Sequence, residues 1–314
     1  MKEKTNFIPR KFAVVGAGPV GNIVAAFLAK GGYDVNLCDV LPELTKPARS
    51  PGIIIEGTEK FRVAVSKTTN SVDDLASDPP DVIFLTVKAN ALPLIASAIE
   101  SFYRDGLYVV SWQNGIDTEL VLARTLGRRV VMRAVVNYGC TLVEPGHVDI
   151  KFHHFPHYIQ ELDRESRSAA VAVADSLTKS GLITEHTDQI ISMVWRKSIM
   201  NACMNPICAV TGMTMAEAIK DPIIFHIVEA LIKEGVSVAR ANEISLGWDF
   251  YPYCLEYMNR AGDHKPSMLI DIEKKRRTEV DYINGKIIDY GERAGVDTPY
   301  NKTLRALVKA LESK

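Results

Sequence analysis

FAVVGAGPVGNIVAAFLAKGGYDVNLCDV, residues 12–40, decides the fold class. Phe12 to Val15 make a short apolar strand, and Gly16, Gly18 and Gly21 follow as a G-x-G-x-x-G turn. Asn22 to Lys30 make a helix that Gly31-Gly32 stop, and a second strand, Tyr33 to Val40, carries Asp39. Each part has a physical reason. Gly16 permits a tight turn, Gly18 lets the backbone approach a pyrophosphate, and Gly21 lets the helix pack closely on the strand. Free N–H groups at the helix start, beside Pro19 and Val20, would face the anion. Asp39 can accept hydrogen bonds from a ribose diol, and its charge would repel a 2′-phosphate, which favours NAD over NADP. The plainer reading of Asp39 is a solvated acid at a strand end. No arginine immediately follows it; Val40, Leu41 and Pro42 do.

Further strands follow. Gly52 to Glu56 and Phe61 to Ser66 form a β-rich excursion. Asp81 to Val87 reads as a buried parallel strand by its apolar run, ending at Lys88. Leu107 to Ser111 is another, ending in Gln113-Asn114-Gly115, and Arg129 to Asn137 leads to Tyr138-Gly139. In open parallel sheets, ligands bind beyond the carboxyl ends of the strands. Lys88, Asn114 and Gly139 share that expected position, although each alone reads as a loop residue.

The totals exclude several classes. The chain has 314 residues, with 37 Lys+Arg against 38 Asp+Glu, so no basic surface for nucleic acid or membrane docking is expected. Cys38, Cys140, Cys203, Cys208 and Cys254 are scattered without a C-x-x-C pair, which predicts a reduced, cytoplasmic protein. Phe12 to Ala29 is uncharged, like a signal peptide or membrane helix, but its glycines and Pro19 cut the run in the middle. His153, His154 and His157 match no catalytic zinc spacing and Pro156 breaks any helix between them, so no metal is expected.

From Asp188 the pattern is helical. We expect an α/β fold: a Rossmann-type parallel-sheet domain over 1–188, then an all-helical substrate domain over 189–314. Helices are predicted over Asp188 to Val210, Pro222 towards Asn242, Ser267 to Tyr290 and Thr298 to Glu312, with a shorter one over Asp249 to Met258. WRKSIMNACMNP, residues 195–206, puts Lys197, Asn201 and Asn205 four residues apart. Four residues advance about 400° around a helix, so the three form one slowly drifting stripe. Pro206 has no N–H and leaves the carbonyl of Ala202 without its helical partner, so a kink or helix end is expected there. In a cleft, Lys197 can donate a proton and the amides can hold a polar substrate. A polar surface stripe fits the same pattern. Ser267, Asp271, Lys275 and Glu279 make a second stripe. Its plain readings are an N-cap serine, an Asp271–Lys275 ion pair and a solvated glutamate.

Six blocks carry a resemblance: GAGPVG, TVKAN, QNG, WRKSIMNACMNP, KPSMLIDIEKKRRTEVDYING and GVDTPYNKTL. In this order and spacing the chain resembles the ketopantoate reductase (2-dehydropantoate 2-reductase) family over nearly its whole length. The resemblance implies a Rossmann domain, a helical domain and an active site in the cleft between them. It implies Lys197 as general acid at the substrate ketone, with Asn201, Asn205 and Ser267 holding the substrate's hydroxyl and carboxylate. Glu279 would hydrogen-bond to substrate or cofactor, Lys88 and Asn114 would contact cofactor, and Asn114 would also serve the reacting centre. Asp271 matches a motif acid with a mainly structural role. The implied reaction is NAD(P)H-dependent reduction of ketopantoate to pantoate, in pantothenate synthesis. Family members that use NADP carry a basic residue near the second strand's end; Asp39 and Val40 stand there instead, which favours NAD(H) and leaves room for another branched or hydroxylated 2-oxo acid. A silent nucleotide-binding sensor would have no need of Lys197. The helical half has enough apolar surface for a homodimer.

Overall fold

The structure, a computed structural model, describes residues 7–259, 262–263 and 265–314. The chain divides into two compact units: 1–113 with 118–190, and 114–117 with 191–314.

The first unit is built on β1 (Lys11–Val15), which pairs in parallel with β2 (Asp34–Cys38) through the crossover helix α1 (Pro19–Lys30). After α2 (Pro42–Pro47), β3 (Ile53–Gly57) and β4 (Phe61–Val63), the chain re-enters the sheet at β5 (Lys67–Thr69). β6 (Val82–Leu85), α3 (Leu92–Glu100), β7 (Tyr108–Ser111), α4 (Thr118–Leu126) and β8 (Val131–Val135) continue the parallel sheet. The remaining strands are β9 (Tyr138–Glu144), β10 (His147–His153), β11 (His157–Glu161) and, beyond α5 (Arg167–Lys179), β12 (Thr184–His186). The main sheet has eight strands in the order β12-β11-β8-β7-β6-β1-β2-β5, with β11 antiparallel to β8. Val82 to Leu85 are all buried, as expected of an apolar run covered on both faces.

A second sheet of four strands, β4-β3-β10-β9, was only half visible in sequence. The expected excursion supplies β3 and β4, and β10 joins β3 in parallel at His147↔Ile54. Gly139 therefore lies inside β9 and not in a loop after β8. A Cβ there would come within 2.3 Å of the Phe152 ring, so the glycine makes room for that side chain.

The second unit is helical: α6 (Ile190–Thr211), α7 (Met215–Lys220), α8 (Pro222–Ala241), α9 (Phe250–Asn259), α10 (Ser267–Glu273), α11 (Asn284–Ala294) and α12 (Pro299–Glu312). Two expectations fail here. The first is the single helix over Ser267 to Tyr290, which is two helices. Lys275 takes a left-handed φ of 52°, its N–H donates to the Ile272 carbonyl at 3.0 Å, and the Arg276 N–H donates to the Asp271 carbonyl at 2.8 Å. This is a Schellman ending with lysine where glycine is usual. The stripe from Ser267 to Glu279 thus stops at Asp271, whose carboxylate pairs with Arg276 at 3.0 Å. The second is the helix end, given as the alternative to a kink at Pro206: α6 runs through it to Thr211, as the expected helix over Asp188 to Val210 requires. The side-chain amide of Asn284 donates to the freed Ala202 carbonyl at 3.0 Å. No described helix is long and apolar enough to cross a membrane.

Candidate functional site

In the first unit, β2, β1, β6 and β7 are parallel neighbours, so their carboxyl ends share one edge. Asp39, the glycine turn and Lys88 follow in that order along it. Three side chains fix the turn. Thr86 Oγ1 donates towards the Val15 and Gly16 carbonyls at 3.0 and 2.9 Å. The fully buried Asn22 donates to the Ala17 and Gly18 carbonyls at 2.7 and 3.0 Å. Asp39 accepts the N–H groups of Ala17 at 2.7 Å and Leu41 at 3.1 Å. Gly16 has a φ of 108°, and a Cβ on Gly21 would lie 1.8 Å from the Gly16 carbonyl oxygen. A Cβ on Gly18 would meet nothing within 4 Å. The turn therefore leaves an open cradle at Gly18, at the start of α1, whose first turn has no side-chain cap and no acid. Pro19 and Val20 open that helix. Uncapped N–H groups, an open face and a carboxylate at the next strand end fit a dinucleotide. Sequence reading missed Asn22 and Thr86; their signal is small polar residues near a tight glycine turn.

Lys88 is half-buried and precedes a short 3-10 turn after β6. Gly139 lies in β9, a strand of the second sheet.

The other candidates all fall in the second unit. Lys197 and Asn201 are half-buried on α6 and Asn205 is buried there. Ser267 is the exposed first residue of α10; Pro266 takes the N-cap position, and no side chain caps the helix. Glu279 is buried in the segment between α10 and α11. Asn114 is half-buried and belongs to this unit through its neighbours. The Ile116 N–H donates to the Tyr282 carbonyl at 2.9 Å, and Asp117 accepts from Lys286 at 3.1 Å and from Tyr290 at 3.0 Å. A Cβ at Gly115 would lie 2.9 Å from that of Tyr282. The sequence gives no sign that this segment joins the helical unit.

Two groups look like metal sites. His153 and His157 face each other through their Nε2 atoms at 2.9 Å, while His154 is exposed. Among the described residues, Glu161, His186 and Asp188 bring one potential ligand atom each within 4.8 Å. His186 lies 2.6 Å from Glu161, and Arg167 grips Asp188 at 2.7 and 3.1 Å, so a His186–Glu161 hydrogen bond and an Arg167–Asp188 ion pair account for the second group.

Both halves of the chain resemble known proteins. Residues 12–164 match the family described as ketopantoate reductase PanE/ApbA, and residues 189–312 match its C-terminal family. The 2-dehydropantoate 2-reductase of Pyrococcus horikoshii is 32% identical over 96% of this chain and 98% of its own. That of Archaeoglobus fulgidus is 30% identical over 97% and 98%. Among solved structures, D-mandelate dehydrogenase with NADH and anilino(oxo)acetate superposes with a TM-score of 0.87 at 28% identity, covering 96% of this chain and 98% of that one. The chain belongs to the ketopantoate reductase PanE/ApbA family and is an NAD(P)-dependent oxidoreductase.

Proposed function

We propose that this protein reduces 2-dehydropantoate to pantoate with NADH. The observation that carries the reading is 30–32% identity to 2-dehydropantoate 2-reductases across almost the full length of both chains. A second reading is reduction of a different 2-oxo acid, with a branched, hydroxylated or aryl substituent. It is supported by the likeness to D-mandelate dehydrogenase at 28% identity.

Gly16, Gly18, Pro19, Val20 and Gly21 would hold the cofactor's pyrophosphate, Asp39 its ribose diol, and Lys88 and Asn114 its nicotinamide half. NADH is favoured because Asp39 is followed by Val40, Leu41 and Pro42, none of which offers a 2′-phosphate a positive charge. The bound reduced nicotinamide supplies a hydride to the C2 carbonyl carbon of the substrate. Lys197 donates a proton to the carbonyl oxygen as negative charge develops there, giving the 2-hydroxy acid. Asn201 and Asn205 follow Lys197 at four-residue steps, so their amides can hold the substrate's hydroxyl and carboxylate. Ser267 and Asn114 add polar groups to the same task, and Glu279 hydrogen-bonds to substrate or cofactor. No metal has a role in this scheme.

The reading of Lys197 is tested by Lys197→Ala. A positioned acid contributes about 10²–10⁴ in rate. The expected result is a kcat loss of that size with unchanged NADH affinity by fluorescence titration. A variant that binds NADH normally and keeps full turnover overturns the role of Lys197.

A further inference from the structure

Pro206 removes the N–H that would close the helical hydrogen bond to Ala202, in the middle of the α6 stripe. The replacement donor is Asn284, fully buried at the start of α11. Its amide also donates to Asn301 Oδ1 at 2.9 Å. Asn301, fully buried in α12, donates through Nδ2 to Glu234 of α8 at 2.7 Å. Glu234 further accepts the backbone N–H groups of Tyr300 at 2.8 Å and Asn301 at 3.1 Å, at the start of α12.

The order of these bonds has a direction. A carboxylate offers acceptors only, so Asn301 must turn its NH₂ to Glu234 and its oxygen to Asn284. Asn284 must then present its own NH₂, and that is the group the Ala202 carbonyl needs. Its Oδ1 has no partner among the described residues, so this amide is used as a donor alone.

We propose that Glu234, Asn301 and Asn284 form a polarity relay that positions the active-site face of α6. The carboxylate fixes the orientation of two buried amides. The second amide holds the turn that carries Asn201 and Asn205 on either side of the Ala202 carbonyl. All three are positioning residues, acting through the helix and touching neither substrate nor cofactor. This rests on the assignment of Asn205 to substrate binding above.

The test is a double-mutant cycle between Asn284→Ala and Asn205→Ala, read by steady-state NADH oxidation with 2-dehydropantoate or benzoylformate, whichever is turned over. NADH affinity and melting temperature are measured for each variant. We expect Asn284→Ala to lower kcat/KM for the oxo acid about 10-fold or more, with NADH affinity unchanged. In the Asn205→Ala background the same substitution should cost clearly less than in the parent, because one of the two amides being positioned is already gone. Equal fold-losses in both backgrounds, or no loss at all, overturn the relay and leave the site assignment standing. An Asn205→Ala variant with unchanged kcat/KM overturns the assignment and the relay together. Should Asn284→Ala fail to fold, Glu234→Gln enters the same cycle. It keeps the shape and puts an NH₂ where acceptors are needed, so the same non-additivity is expected and additivity overturns the proposal.

Discussion

Asp39 accepts the backbone N–H of Ala17 at 2.7 Å, across the strand end that separates them. One carboxylate thus braces the glycine turn and, in the function proposed above, would also accept a ribose diol. Hydrogen bonds to charged groups are worth about 1.5–3 kcal/mol, which converts to roughly 10–100-fold in affinity. Asp39→Ala should raise the KM for NADH by about that factor, with a smaller change in kcat, and should narrow the preference over NADPH. Steady-state kinetics with both cofactors reads this directly.

The glycines of the turn should separate fold from binding. A Cβ at Gly21 would lie 1.8 Å from a backbone oxygen, while one at Gly18 would meet no protein atom within 4 Å. Gly18→Ala should therefore keep the melting temperature of the parent and lose NADH affinity. Gly21→Ala should lose both. Melting curves with and without NADH distinguish the two.

His153 gives a pH signature in the first unit. Burial, followed by the neighbouring His154, lowers its pKa from 6.5 to about 4. The geometry gives a reason. His157 Nδ1 accepts the Asn137 N–H at 3.0 Å, so the ring's proton sits on Nε2, which points at His153 Nε2 2.9 Å away. A proton on that His153 nitrogen would oppose it. Between about pH 6.5 and about 4 the unfolded chain binds more protons than the folded one. This contribution is therefore complete above about pH 6.5, declines as the pH falls towards 4, and is flat below. Urea midpoints at pH 7 and pH 5 should differ less for His153→Phe than for the parent; parallel shifts would show that His153 is not the source.

Arg133 and Glu119 place opposite charges in the first unit's interior, each side chain 3% exposed, with Nε and Oε2 3.4 Å apart. Arg133 also donates to Ser111, Gln113 and Thr118 at 3.1, 3.0 and 2.6 Å. Removing one member of a buried pair costs about 3–5 kcal/mol, whereas replacing both with apolar groups is often neutral. Arg133→Ala should lower the melting temperature sharply, and Arg133→Met with Glu119→Leu should recover most of it. Differential scanning calorimetry checks both.

Where the sequence was readable, the chemistry was local. The strand–turn–helix around Gly16 and Gly21 depends on backbone conformation and close packing within one short stretch. The buried strand at Val82 to Leu85 announces itself by its apolar run. Long-range partners were not readable. The pairing of β3 with β10 joins distant segments, and the Ala202 carbonyl finds Asn284 82 residues away. That distant donor satisfies the Ala202 carbonyl as α6 runs through Pro206, where local rules predict a kink or an end. The split between α10 and α11 was hidden for another reason. Lysine at 275 favours helix by propensity, so nothing local warns of its left-handed φ. Of the candidate site, the residue types were legible, but the companionship of Asn114 with the helical unit was not. It depends on Tyr282, Lys286 and Tyr290, which no motif spacing connects to it.

Initial rates of nicotinamide oxidation with 2-dehydropantoate, using NADH and NADPH in parallel, decide whether the proposed reaction is the right one. Rapid oxidation of NADH and little of NADPH is expected. Measurable cofactor binding without oxidation of either would contradict the assigned substrate, and a clear preference for NADPH would contradict the role given to Asp39.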